Sequence, residues 1–180
     1  EVPVAPVAPV AIPLADVAHR SEDFGATLRR VEDLLEPSYE IRTIESAVVE
    51  ASVELAALRA KLDAVDANRI STRMLEDHRL EWREFDEKLG VWMGELQTRW
   101  QMLAREGAEL SAARVEWELT RDNAIRETAP LEIIEQIDRQ LERLDAVETQ
   151  LSEGGESLGS VVARVSRGRE VSTDALDRLS

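Results

Sequence analysis

The chain has 180 residues, 43% of them hydrophobic, 33% charged and 4% aromatic, with no cysteine and a formal net charge of -15. That share of apolar residues excludes disorder along the whole chain, and the missing cysteine excludes disulfide scaffolds, thiolate catalysis and cysteine zinc sites. The negative charge repels nucleic acid and anionic membrane surfaces, so neither is expected as a direct partner.

Four of the six prolines (Pro3, Pro6, Pro9 and Pro13) lie in the first thirteen residues. Proline fixes φ and removes amide donors, so residues 1–13 are expected as an extended, polyproline-like tether. The chain opens at Glu1, without a charged and apolar leader before the prolines. A cleaved secretory signal or excision from a longer protein accounts for this, and a proline-rich, cysteine-free start suits a mature extracytoplasmic N-terminus. Arginine outnumbers lysine twenty to two, a bias that reflects genome base composition.

From residue 14 onward the apolar residues recur at helical spacing. Leu14, Val17, Phe24, Leu28, Val31 and Leu35 step by three and four, with Ser21 filling one slot, and predict a helix over 14–35. The pattern resumes after Pro37 as Ile41, Ile44, Val48, Ala51, Leu55, Leu58, Leu62 and Val65, a second helix over 39–65 capped by Ser38. Asp66-Ala67-Asn68-Arg69 reads as a turn, with Ser71 or Thr72 capping the next helix.

The third segment carries the strongest pattern. Leu75, Trp82, Leu89, Leu96, Leu103, Leu110 and Trp117 stand seven residues apart, predicting one helix over 71–126, roughly 80 Å long at about 1.5 Å per residue. A companion row runs three residues on at His78, Phe85 and Trp92, then four residues on at Met93 and Trp100, which is a stutter. After Pro130 a fourth helix over 130–179 has Ile137, Leu144, Leu151, Leu158, Val165 and Leu179 in register, with Ile134, Leu141, Val162 and Leu176 as its second row. Gly154, Gly155 and Gly159 fall inside it, each costing about 1 kcal/mol in a helix interior. The register holds across them, which predicts a continuous helix. The pattern still runs at Ser180, so the natural chain is expected to continue. No strand alternation stands out. The expected fold is all-α, a single domain over 14–180 of long antiparallel helical hairpins forming an elongated bundle or coiled coil. A spectrin-like three-helix repeat is a variant of that architecture, although no repeat of its usual length appears.

The chemistry of a catalytic site is missing from the pattern. His78 sits on the seam with Trp82 at i+4, where a second metal ligand would have to be. His19 reads as a surface residue. Acidic residues interleave with basic ones at solvent-facing positions, as on an ordinary charged helix face. No catalytic, cofactor-binding or metal-ligating residue is assigned, and no cofactor is expected. The functional candidates are Trp92, Trp100, Gly90 and Gly94, a possible protein-contact surface: two tryptophans beside the stutter, and two glycines four apart that would let another backbone approach. Core packing is the competing account of the tryptophans.

The run Trp117, Thr120, Ala124, Pro130, Ile134, Ile137, Leu141, Leu144, Leu151, Leu158 and Val165 resembles the N-terminal periplasmic region of large bacterial mechanosensitive channels of the small-conductance family. The resemblance implies a non-enzymatic extracytoplasmic helical domain, periplasmic, acting in envelope interaction, spacing or modulation of gating. It implies contact with other channel subunits or self-association, and a membrane reached only through segments outside this chain. Trp117, Thr120, Pro130 and the seam residues would then have packing roles. The alternative is a free-standing coiled-coil scaffold or periplasmic adaptor or chaperone that binds protein partners.

Overall fold

The computed structural model describes residues 9–64 and 71–180. Val65 and the expected turn at Asp66–Arg69 lie outside the described residues, as do Pro3 and Pro6. Four α-helices follow a short 3-10 turn at Leu14–Asp16: α1 (Val17–Leu35), α2 (Tyr39–Asp63), α3 (Thr72–Arg126) and α4 (Leu131–Arg178). The all-α architecture of long antiparallel helices is the one expected, and α4 runs unbroken through Gly154, Gly155 and Gly159.

Local chemistry sets the helix ends. Ser38 caps α2, its Oγ accepting the Ile41 N–H at 3.4 Å. The first-turn carboxylate of Glu40 is held below its usual range by its own backbone N–H and by Ser38. Ser71, rather than Thr72, caps α3 through the Met74 N–H at 3.3 Å. At the other end of α3, the Thr128 N–H donates to the Ile125 carbonyl at 3.2 Å and the Ala129 N–H to Ala124 at 2.9 Å. That bonding is a Schellman cap, with Thr128 in the left-handed position at φ 54°. A β-branched residue is strained there, and Pro130 next in line prevents the helix from continuing.

The chain divides into two compact units, one of residues 1–36 with 102–154, the other of 37–101 with 155–180. Each unit holds three helical segments. In the first, α1 and the two halves of the α3–α4 hairpin nearest its turn bury Ile12, Phe24, Leu28, Leu110, Trp117, Ile137 and Leu144. Arg20–Glu116 at 2.9 Å and Arg30–Glu106 at 3.2 Å set α1 antiparallel to α3, while Arg121–Asp138 at 2.5 Å does the same for α3 and α4. Phe24 packs on Trp117 with ring centroids 5.5 Å apart. Each such apolar side chain contributes roughly 1.5–3 kcal/mol on burial.

In the second unit α2 takes the place of α1. Lys61–Glu81 at 2.8 Å and Lys88–Glu54 at 2.7 Å run α2 antiparallel to α3. Trp82, Phe85, Leu89 and Leu96 of α3, Ile44, Val48 and Leu58 of α2 and Leu158 and Val165 of α4 are all buried, and Val48, Phe85, Leu89 and Val165 line one small cavity. Ser172 fills a seam slot on α4, its hydroxyl donating to the Trp82 carbonyl at 3.2 Å.

Two expectations are corrected here. The tether does not extend freely to residue 13: Pro13 keeps polyproline dihedrals (φ -56°, ψ 135°), yet Ile12 is buried and its N–H donates to the Thr120 hydroxyl at 2.8 Å. An apolar residue beside a buried hydroxyl gives that segment both contacts that docking requires. On α4, the second row to bury is not Ile134, Leu141, Val162 and Leu176, which are only half-buried. It is Val147 in the first unit, and Val161, Gly168 and Ala175 in the second, three residues after each seam position. Small side chains hold that row because neighbouring helices come close: a Cβ on Gly168 would stand 2.8 Å from Leu89 Cδ1.

Candidate interaction surface

Trp92, Trp100, Gly90 and Gly94 all belong to the α3 segment of the second unit. The structure does not gather them into one patch. Trp92 is half-buried, and Lys88 Nζ stands 5.3 Å from its ring centroid while bonding Glu54 of α2 at 2.7 Å. That cation–π contact and ion pair fix the ring on the α2 side of α3. Trp100 is 48% exposed and reaches the α4 side, where a Cβ on Gly159 would lie 3.7 Å from its Cζ3. Its apolar surface is therefore partly free and partly packed against α4.

The two glycines differ as well. Gly90 faces Arg169 of α4, whose Nε reaches Asp86 at 3.4 Å. Gly94 is exposed with nothing within 4 Å of a Cβ built on it. Val91, beside them, is 67% exposed.

Sequence reasoning missed a second apolar surface in the same unit, on α2. Val49 and Val53 are 59% and 69% exposed, one turn apart on the side away from the core. Ser46, Ala56 and Ala60 extend their row, all exposed. The signal lay in the sequence, since Ser46, Val49, Val53, Ala56 and Ala60 step by three and four like the buried seam. The larger residues Ile41, Ile44, Leu58 and Leu62 mark the inner face more strongly.

Charged side chains elsewhere pair with one another across the helices. In the first unit Arg114 donates to Glu148, with Nε at 3.0 Å, and to Asp145, and these two carboxylates push the guanidinium pKa up. In the second, Lys61 holds Glu81 below the usual carboxylate range, with His78 assisting at 3.7 Å. Among the described residues no group of three or more His, Asp or Glu side chains converges on a possible metal position, and no helix is long and apolar enough to cross a membrane. A cavity of about 20 Å³ lies between Val48, Phe85, Leu89 and Val165, room for a single water molecule. No protein-family model, curated protein or solved structure matches the chain.

Proposed function

We propose that this chain is a non-enzymatic, extracytoplasmic helical domain of a mechanosensitive channel, working through protein contacts in envelope interaction, spacing or modulation of gating. The observation that supports this reading is the hairpin formed by the segment that resembles such channels. Trp117 and Thr120 are buried to 2% and 0% exposure, and Pro130 stands directly before α4, the packing roles that the resemblance implies. The net charge of -15 disfavours nucleic acid and anionic lipid as direct partners, leaving protein.

The test is the gene on both sides of this segment, followed by function. Apolar spans of about 20 residues downstream, and altered survival of hypo-osmotic shock when this segment is deleted in frame, are the expected results. A stop codon close after residue 180 would defeat the proposal. The second reading, a free-standing scaffold or periplasmic adaptor, draws its support from the exposed apolar row on α2. It predicts a folded protein that associates through that row without any membrane segment.

A further inference from the structure

We propose that the outer face of α2 is a homotypic docking surface, on which a second copy of this chain lays its own α2 antiparallel. The helix carries two apolar rows. One is buried against α3 and α4; the other, on the opposite side, comprises Ser46, Val49, Val53, Ala56 and Ala60, with Tyr39 75% exposed near its N-terminal end. A helix at the surface of a bundle ordinarily places charge opposite its buried stripe, and one that is apolar on both sides fits between two layers. The alternating steps of three and four are those of a coiled-coil seam.

Charge selects the occupant and its direction. Along one edge of the row stand Glu45, Ser52 and Arg59, each seven residues from the next; along the other stand Thr43, Glu50 and Ala57. In a parallel pair these edges face each other and set Glu45 against Glu50 of the partner, twice. In an antiparallel pair each edge meets its own copy. With Val49 opposite Val53 at the centre, Glu45 then faces Arg59 of the second chain at both ends, and Ser52 faces Ser52. Among the described residues neither Glu45 nor Arg59 has an ion pair within the chain. Glu54, Lys61 and Asp63, nearer the neighbouring helices, are all paired internally. The antiparallel register also brings the two Glu50 side chains together at the dyad, a repulsion that the two Glu45–Arg59 pairs outnumber.

The test is sedimentation equilibrium of the full chain near physiological salt, with circular dichroism to show that each variant stays folded. The wild type is expected to dimerise. Val53→Glu should abolish the dimer, and Arg59→Glu should weaken it about tenfold, two favourable pairs becoming unfavourable at 0.2–1 kcal/mol each. Adding Glu45→Arg to Arg59→Glu should restore the affinity, while Glu50→Gln should raise it. Direction is read with a short thiol-reactive crosslinker on single-cysteine variants. Ser52→Cys links the antiparallel dimer, whereas Tyr39→Cys does not, its two copies lying about 36 Å apart along the helices. A monomeric wild type, a dimer indifferent to Val53→Glu, or linkage at Tyr39→Cys instead of Ser52→Cys overturns the proposal. Failure of the channel reading would leave each of these outcomes unchanged.

Discussion

Thr120 shows how much one side chain can organise. Its hydroxyl donates to the Glu116 carbonyl at 2.7 Å and accepts the Ile12 N–H at 2.8 Å, fully buried. Thr120→Val keeps the shape but leaves the Ile12 donor buried without a partner, at a cost of about 1–3 kcal/mol. Urea denaturation should show that loss, and amide exchange at Ile12 should become fast; a variant as stable as the wild type would refute the clasp. Lys61 and Glu81 make a different kind of contact. The folded pKa of Glu81 is lowered, chiefly by the Lys61 hydrogen bonds, so the stabilisation exists above the unfolded carboxylate value of about 4.3 and is lost as pH falls through the lower folded value. The melting-temperature difference between wild type and Lys61→Met should hold constant from about pH 7 to 5 and vanish toward about pH 3. A difference that grows on acidification would contradict that sign.

At the scale of elements, α4 keeps its helix despite four glycines, and those glycines are not equivalent. Gly155 has nothing within 4 Å of an added Cβ, whereas Gly168 would place one 2.8 Å from Leu89 Cδ1 in the core. Gly155→Ala should therefore stabilise by about 1 kcal/mol through helix propensity. Gly168→Ala should destabilise, because overpacking costs about 1–3 kcal/mol against that same gain. Thermal melts of the two variants moving in the same direction would contradict this assignment. The heptads made the helices legible: Trp82, Leu89, Leu96, Leu103, Leu110 and Trp117 are all buried. Large side chains announce a seam, but Gly168 and Ala175 mark close approach by being small, and the bulkier Ile134 and Leu141 carry a stronger apolar signal than Val147 and Val161. The docking of Ile12 was illegible for another reason. Its partner lies 108 residues away, and periodicity carries no information about contacts at that range. Of the candidate surface, the stutter marks Trp92 and Trp100 alike and does not separate the half-buried ring from the exposed one, while the α2 row is masked by the stronger seam on the same helix.

For the whole molecule, α3 and α4 are each shared between the two units, α3 passing from one to the other at residues 101–102 and α4 at 154–155. Both α3 and α4 continue through that boundary without a break. Continuous helices transmit unfolding, since a helix that frays in one unit loses the turn that begins its segment in the other. Leu28→Ala, at a fully buried site in the first unit, should cost about 2–5 kcal/mol and lower the unfolding midpoint reported by Trp82 in the second unit. An unchanged midpoint for Trp82, in a variant where it is the sole tryptophan, would show that the units unfold independently.

The Ile12 clasp has a mechanical consequence. Tension applied from the N-terminal side of Pro9 meets one hydrogen bond and one buried isoleucine before it loads α1. The clasp acts as a fuse: it yields first, and the three helical segments behind it stay packed. Pulling single molecules from the N-terminus should reveal a small extension at low force ahead of bundle rupture, and Thr120→Val should erase that early step. A first event that already unravels α1 would mean that the arm and the bundle bear load as one.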